Sequence, residues 1–368
     1  WFTPSGGETV ERYSFERPNW FDVVGNEHRA TREQVALFDQ SSFAKFMMVG
    51  RDVGAALDWI CANNVTKAPG TLTYTQMLNK KGGIECDLTV ARLAQDRFYI
   101  VTGTGFATHD FDWITRNIPE GLDAHLVDVT SGYATLALMG PRARDLLASV
   151  TRDDVSNEAF PFAHVREIII AGAPSLALRV TYVGELGWEL HIPTEFALTV
   201  YDALKREGEA LGLVDAGYRA IETLRLEKGY RAWAAEIGPD HTPLEAGLGW
   251  AVKLKSGKPF LGREALVVQK EAPLKKLMAC FTVDDPAVSL WGRETIIRNG
   301  ERVGWLTSGG WGYTVGKNIG YGFVRRVAGV DRDFIMSGTY ELEVATERVP
   351  CAVHMDALYD PTSARVRA

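Results

Sequence analysis

The sequence lacks the patterns that mark several large classes of protein. It has no run of about 18 apolar residues, so it predicts no transmembrane helix. Neither a G-x-G-x-x-G motif after a strand nor a G-x-x-x-x-G-K-[ST] motif occurs, so we predict neither a dinucleotide-binding domain nor nucleotide hydrolysis. The net charge of −7 argues against a partner that is nucleic acid or an anionic membrane.

Cysteine is also scarce and scattered. The four cysteines form no C-x-x-C pair, which is typical of free thiols in a reducing compartment. The seven histidines show no H-x-x-x-H spacing, so we expect no metal site. A bacterial cytoplasm and a mitochondrial matrix fit this cysteine usage equally well.

The length of 368 residues indicates two or three domains. Residues 1–20 have the composition of a linker, and alternating helix-like and strand-like patterns over 21–270 predict two α+β subdomains. After 270 the pattern changes to short strands, so we predict an antiparallel β-barrel over 271–368. The turn signals in this last region are Asp284-Asp285-Pro286, Asn299-Gly300, Gly309-Gly310 and Ser337-Gly338.

Hydrophobic periodicity locates the main elements before residue 270. The predicted helices cover 29–38, 52–60, 106–117, 141–150 and 198–211. The predicted strands cover 43–49, 74–78, 87–93, 97–102 and 133–138.

One segment, Tyr182-Val183-Gly184-Glu185-Leu186-Gly187-Trp188-Glu189, combines a phenol, an indole and two carboxylates around two glycines. Glycine permits a tight turn, so the segment predicts a hairpin-like connection between extended runs. A flat, nitrogen-rich heterocycle needs an aromatic face and a two-oxygen acceptor for its N–H edge, and this turn offers both. The alternative is an ordinary hairpin with solvated glutamates.

Asp87 lies four residues after a Gly82-Gly83 turn signal, at the predicted head of a strand, and Glu85 lies two residues before it. In an extended chain the two acids share one face. Such a pair can act as a general base, a proton acceptor or an electrostatic stabiliser. The alternative is a solvated pair of acids beside a hairpin.

Three arginines, Arg219, Arg225 and Arg231, recur within one stretch of an acidic chain. Their guanidinium groups suit the carboxylates of an anionic ligand tail. The alternative is a helix with internal ion pairs, for which Glu222 and Arg225 are the candidates.

In their shared order these motifs resemble the glycine-cleavage T-protein (aminomethyltransferase) family. The closer resemblance is to the folate-binding C-terminal portion of dimethylglycine and sarcosine dehydrogenases and of dimethylglycine oxidase. It covers nearly the whole chain. The supporting stretches are 17–21, 38–45, 82–90, 102–110, 136–141, 182–189, 224–229, 317–320 and 359–361.

The resemblance implies an α+β fold: a three-lobed ring around a tetrahydrofolate channel, with two interleaved α+β subdomains and a C-terminal antiparallel β-barrel. It implies that Asp87 is the catalytic acid near the N5/N10 edge of folate. The family's pterin-binding tyrosine and glutamate correspond to Tyr182 and Glu189. We add Trp188 as a cofactor contact, and Arg225 corresponds to an arginine of the T-proteins.

The implied function is capture of a methylene or methyl unit from an N-methyl amine-derived iminium by tetrahydrofolate, which gives 5,10-methylenetetrahydrofolate. FAD is expected only on an upstream or partner flavin-dependent oxidoreductase domain. T-proteins carry two adjacent acids where this chain has Cys86-Asp87, which disfavours a stand-alone aminomethyltransferase. The alternative from another class is a non-catalytic folate-binding or scaffold module of a larger oxidoreductase.

Overall fold

The computed structural model describes residues 1–3, 7–12 and 17–368, so part of the predicted linker segment lies outside the described residues. Within them no helix is both long and apolar enough to cross a membrane. The α-helices are α1 Phe21–Glu33, α2 Val53–Ile60, α3 Ala107–Asn117, α4 Ala143–Val150, α5 Ala197–Gly208, α6 Tyr218–Lys228, α7 Arg263–Lys270 and α8 Arg332–Met336. The strands are β1 Val35–Asp39, β2 Ala44–Val49, β3 Leu72–Leu78, β4 Ile84–Arg92, β5 Arg97–Thr102, β6 His125–Asp128, β7 Tyr133–Met139, β8 Val165–Ile170, β9 Ala173–Leu178, β10 Gly187–Pro193, β11 Leu213–Ala216, β12 Lys276–Val283, β13 Thr295–Arg298, β14 Glu301–Gly312, β15 Lys317–Arg325, β16 Tyr340–Val344 and β17 Glu347–His354.

Two sheets share the first part of the chain. The first sheet has the order β11-β1-β7-β10-β9-β8, and only the β1–β11 pair is parallel. Between β1 and β7 the chain leaves this sheet and builds a second, antiparallel sheet with the order β3-β4-β5-β2-β6. This insertion confirms the prediction of two interleaved α+β subdomains.

The C-terminal strands close into an antiparallel barrel with the order β12-β15-β14-β13-β16-β17, which confirms the predicted β-barrel. Asn299 and Gly300, with φ of 50° and 86°, form the two-residue turn that joins β13 to β14. The predicted boundary between residues 270 and 271 lies between α7 and β12. The division into domains 1–20, 21–270 and 271–368 stays a prediction.

The turn predicted at Gly309-Gly310 is wrong, because both glycines lie inside β14. A Cβ atom on Gly310 would lie 2.9 Å from Cδ1 of Leu226 on α6. Glycine at this position therefore serves close packing of α6 against the barrel, and not a change of chain direction.

The helix predicted at 29–38 is also wrong in its bounds. Helix α1 begins earlier, at Phe21, and ends at Glu33, and β1 follows at once. Val35 to Phe38 are all buried, and β1 pairs with strands on both sides. A strand buried on both faces reads as a continuous apolar run, which periodicity alone does not separate from a helix. The other predicted helices and strands are confirmed to within a few residues.

Each sheet has one face covered by helices. Helices α4 and α5 pack on the first sheet, and α2 and α3 pack on the second. At β1 and β7 the other face of the first sheet packs against α1 and α6. The rest of that face meets the second sheet through a shared apolar cluster, to which Ala91 and Tyr99 contribute from the second sheet and Leu176 and Leu178 from the first. On β4, β5, β9 and β10 the side chains that alternate with the helix-facing residues therefore point into one common region, which we call the intersheet space.

A buried group of charges joins α1, α6 and the barrel. Glu227 on α6 accepts hydrogen bonds from Arg32 at 3.1 Å and from the backbone N–H of Thr314 at 2.6 Å, and His28 lies 3.2 Å from it. Arg32 also donates to Glu185 at 3.0 Å, in the loop before β10. We call this group, with its contacts from the C-terminal tail, the Glu227 network; it consists of His28, Arg32, Glu185, Glu227, Tyr359 and Arg365.

Replacement of Arg32 tests the importance of this network. Arg32→Met removes the cation that two buried carboxylates share, so we expect the free energy of unfolding to fall by about 3–5 kcal/mol. Arg302→Met is the matched control, since Arg302 forms an exposed pair with Glu343 and its loss should cost at most about 1 kcal/mol. Urea unfolding of both variants measures the difference, and equal effects would contradict this account of the network.

Candidate functional site

Asp87 lies on β4 and faces the intersheet space. Its Oδ1 accepts hydrogen bonds from the Tyr74 hydroxyl at 2.6 Å and from Nε2 of Gln76 at 2.9 Å. Gln76 is the residue directly opposite Asp87 in the β3–β4 pairing, and Tyr74 lies two residues away on the same face. Oδ2 accepts no hydrogen bond from the described residues. The carboxylate is therefore held by one oxygen and offers the other.

The environment of Asp87 shifts its pKa towards neutral pH. Burial raises the pKa of Asp87 from 3.8 to about 6, although the hydrogen bonds from Tyr74 and Gln76 oppose the rise. The negative charge of Asp110 adds to it. At pH 7 the carboxylate is mostly ionised but can accept a proton readily, which is the property that general acid–base chemistry requires.

Tyr182 lies in the loop between β9 and β10. Its hydroxyl donates to the backbone oxygen of Arg231 at 2.8 Å, and its ring stacks on Tyr230 with centroids 5.9 Å apart. Burial raises the pKa of this hydroxyl, Arg225 opposes the rise, and Asp87 is among the negative charges that add to it. Tyr182 and Asp87 thus belong to one electrostatic environment.

Glu189 lies on β10 and also faces the intersheet space. Its residue is 8% exposed, yet its carboxylate accepts no hydrogen bond from any described residue. The nearest basic atom is Nε2 of His191, 3.7 Å from Oε2. An enclosed carboxylate without a donor is costly unless a ligand or water supplies one. Glu189 is therefore an acceptor that the fold leaves available.

Asp87 and Glu189 lie on facing sheets. Glu189 is directly opposite Leu178 in the β9–β10 pairing, and Leu178 belongs to the apolar cluster between the sheets. Ala91 belongs to the same cluster, and Asp87 lies four residues along β4 from it, or about 13 Å of extended chain. The two acids therefore face the intersheet space from different sheets.

Trp188 does not lie with these residues. It is 0% exposed and packs in the core between the first sheet and its helices, against Phe160. The reason is strand alternation: Trp188 and Glu189 are neighbours on β10, so their side chains point to opposite faces. This corrects the predicted cofactor contact, because Trp188 has no exposed surface to offer a ligand.

Arg225 is a buried residue of α6 that is bonded to other protein groups. It is 1% exposed, and its Nη1 donates to Glu236 at 2.7 Å and to the backbone oxygen of Tyr230 at 3.2 Å. Its Nη2 donates to Glu222, the ion pair expected of a helix. Both terminal nitrogens are engaged, so Arg225 holds the segment that carries Tyr230, and its contact with a ligand stays a prediction.

The fold brings Cys86 close to the adjacent residues His109 and Asp110. The ligand atoms of Cys86, His109 and Asp110 lie within 4.8 Å of one another. Asp110 contacts Nδ1 of His109 at 2.9 Å and accepts a hydrogen bond from Thr102 at 2.5 Å. Burial raises the pKa of the Cys86 thiol well above its usual value, so the thiol is protonated. These groups satisfy one another, and the expectation of no metal stays a prediction.

Sequence reasoning missed several residues of this site. Tyr74 and Gln76 alternate on a predicted strand, so their common face could have been inferred, but their pairing with Asp87 could not. Trp250 is 72% exposed and its ring stacks on Tyr74 with centroids 5.7 Å apart. Trp250 therefore presents an aromatic surface at the solvent side of the Tyr74–Asp87 pair.

Comparison with known proteins identifies the family. Residues 1–256 match the GCVT N-terminal domain, and residues 275–360 match the glycine cleavage T-protein C-terminal barrel domain. The first match covers more than half of the chain, which therefore belongs to the GCVT family. The predicted resemblance is confirmed.

Relatives and a solved structure agree with this assignment. The chain is 40% identical to human mitochondrial sarcosine dehydrogenase over 97% of its own length and 41% of that protein. It is 35% identical to an aminomethyltransferase of Halothermothrix orenii over 87% of its own length and 88% of that protein. The glycine cleavage system aminomethyltransferase T of Bartonella henselae has the same fold, with a TM-score of 0.81, 24% identity and coverage of 92% and 90% of the two chains.

These matches define an aminomethyltransferase-like domain related to sarcosine dehydrogenase, and they confirm the prediction of a transferase-like enzyme. The chain spans less than half the length of the sarcosine dehydrogenase that it matches.

The raised pKa of Asp87 predicts a pH-dependent effect on stability. An acid whose pKa rises on folding holds its proton more tightly in the folded chain, so the contribution of Asp87 to the free energy of unfolding falls as the pH rises from 3.8 to about 6. Asp87→Asn removes this loss. We expect the variant to be more stable than the wild type at pH 7.5 by on the order of 1–3 kcal/mol.

Thermal unfolding at a series of pH values measures this difference, which should shrink as the pH falls towards 4. Asp112→Asn, at an exposed position on α3, is the control. A constant offset between wild type and Asp87→Asn across the range would contradict the raised pKa.

Proposed function

We propose that the chain binds tetrahydrofolate in the intersheet space and serves the transfer of a one-carbon unit from an N-methyl amine-derived iminium, with 5,10-methylenetetrahydrofolate as the product. The observation that carries the proposal is Glu189, a residue that is 8% exposed and whose carboxylate accepts no hydrogen bond from the described residues. Asp87, with one free oxygen and a pKa of about 6, lies on the facing sheet.

The available groups fit the two ends of a pterin. The aminopyrimidine edge of a pterin presents adjacent N–H donors, and a carboxylate such as Glu189 can accept two of them. Tyr182, in the loop that leads into β10, adds an aromatic ring that stacks on Tyr230. Trp250 and Tyr74 add an aromatic surface towards solvent that suits the aromatic part of a folate tail.

Asp87 suits the proton-handling part of the reaction. Transfer of an iminium carbon to two nitrogens of tetrahydrofolate releases the amine and one proton. Asp87 is mostly ionised at pH 7 and its Oδ2 is free, so it can accept that proton, while Tyr74 and Gln76 fix its position through Oδ1. When bound, tetrahydrofolate supplies the nucleophilic nitrogens, and the chain holds the donor and the acceptor close together.

The source of the iminium is proposed from the relatives. The human relative is named a sarcosine dehydrogenase, and the chain matches 41% of it. We propose that a flavin-dependent oxidoreductase domain or subunit oxidises the N-methyl amine and passes the iminium to this chain. FAD belongs to that domain in this proposal, and the methyl donor is set there. The compartment, cytoplasm or mitochondrial matrix, stays a prediction.

Glu189→Gln tests the binding half of the proposal. The substitution keeps the shape of the side chain but removes its charge and one acceptor oxygen. We expect the affinity for (6S)-5-formyltetrahydrofolate, a stable reduced folate, to weaken by about 1–3 kcal/mol in calorimetric titration.

Glu195→Gln, an exposed change in the segment after β10, is the matched control and should bind as the wild type does. An unchanged affinity of Glu189→Gln would reject Glu189 as the pterin acceptor.

Asp87→Asn tests the chemical half. Asparagine retains an oxygen for Tyr74 and Gln76 but cannot accept a proton at neutral pH, so folate binding should persist while transfer slows by about 10²–10⁴-fold. A single-turnover assay with tetrahydrofolate and formaldehyde as the carbon source measures the transfer.

Undiminished transfer by Asp87→Asn would remove Asp87 from the mechanism. Folate binding without any transfer by the wild type, in the presence of a competent flavin partner, would favour the alternative of a non-catalytic folate-binding module.

A further inference from the structure

His191 is a buried titratable residue that the proposed function does not use. It lies two residues after Glu189 on β10, so both side chains point into the intersheet space. Its residue is 0% exposed. A histidine enclosed between two sheets must satisfy both ring nitrogens locally, so its partners are informative.

The two ring nitrogens of His191 have different surroundings. Nδ1 lies 3.0 Å from the Tyr99 hydroxyl and 3.1 Å from the Thr135 hydroxyl. Nε2 has no hydrogen-bond partner among the described residues, and the atom it approaches is Oε2 of Glu189 at 3.7 Å. The ring thus links two hydroxyls, one from β5 on the facing sheet and one from β7 beside β10, to a carboxylate that has no donor among the described residues.

These contacts decide the protonation of the ring. Burial lowers the pKa of His191, while Glu189 opposes that effect, so the imidazole is neutral and carries a single N–H. Neither Tyr99 nor Thr135 has another acceptor for its hydroxyl proton among the described residues. Nδ1 therefore accepts a hydrogen bond from this pair, and the proton of the ring resides on Nε2, directed at Glu189.

We infer that His191 is a positioning residue for Glu189. Its Nε2–H orients the carboxylate through one lone pair of Oε2, so that Oε1 and the second lone pair of Oε2 stay available to the two N–H groups of the ligand, in the way that an outer group orients a metal-bound histidine. The separation of 3.7 Å is longer than a hydrogen bond, and we expect it to shorten when a ligand engages the carboxylate. This inference rests on the proposed function, because it assigns Glu189 to the ligand.

A double-substitution cycle tests whether His191 acts through Glu189. His191→Leu removes the donor and keeps the site apolar, so affinity for (6S)-5-formyltetrahydrofolate should fall by about 5- to 30-fold. His191→Gln restores an N–H donor near the position of Nε2 and should recover most of the affinity. In a Glu189→Gln background, His191→Leu should change the affinity by less than about twofold, since the partner charge is already gone.

The outcomes separate this inference from the proposed function. No folate binding by the folded wild type would reject the proposed function. Folate binding that Glu189→Gln weakens, with an unchanged affinity of His191→Leu or an equal loss in both backgrounds, would overturn only the role of His191. If His191→Leu does not fold, Tyr99→Phe combined with Thr135→Val removes both hydroxyls from Nδ1. This double variant should also weaken folate binding, because the ring then loses the contacts that keep its proton on Nε2.

A spectroscopic measurement tests the inference without any ligand. Long-range ¹H–¹⁵N correlation spectra of the ¹⁵N-histidine-labelled chain report which ring nitrogen carries the proton, and His191→Gln assigns the signal. The account predicts a neutral ring with the proton on Nε2. A proton on Nδ1 in the wild type would overturn the inference, because Nε2 could not then donate to Glu189.

Discussion

The arrangement of the site depends on the ion pairs that converge on Glu227. This carboxylate is buried, and burial alone would raise its pKa, yet the pKa is lowered because His28, Arg32 and Thr314 together favour its ionised form. Arg32 also donates to the backbone oxygen of Val183, beside Tyr182. One buried cation therefore fixes the loop that leads into β10 relative to α6 and the barrel. Without the hydrogen bond from Arg32 to Val183, β10 would still pair with its neighbours, but the loop before it would no longer be bonded to α1 at this point.

The second constraint is the pairing of two sheets through one apolar cluster. That cluster fills part of the intersheet space, and Asp87 and Glu189 face the same space. Asp87 has protein donors on one oxygen, whereas Glu189 has none. The difference suits two tasks. Asp87 is held in place to accept a proton, and Glu189 is available to accept hydrogen bonds from the N–H groups of a ligand.

Much of this architecture follows from local sequence. The turn at Asn299-Gly300 and the short strands around it predicted the barrel, and order-specific motifs predicted Asp87, Tyr182 and Glu189 as the residues of interest.

The errors in the predictions from sequence have physical causes. A strand buried on both faces, such as β1, has no period to recognise, and Trp188 was grouped with Glu189 although strand alternation separates neighbours. The contacts of His191 with Tyr99 and Thr135 join distant parts of the chain, so no local pattern reveals them.

A crystal structure of the chain with (6S)-5-formyltetrahydrofolate is the most direct test of the central claim, that the intersheet space is a folate site. The account predicts density for the pterin between the two sheets, with its N–H edge within hydrogen-bond distance of Glu189 and its N5/N10 region nearer Asp87. A pterin bound elsewhere, or in the reverse orientation with its N–H edge on Asp87, would contradict it.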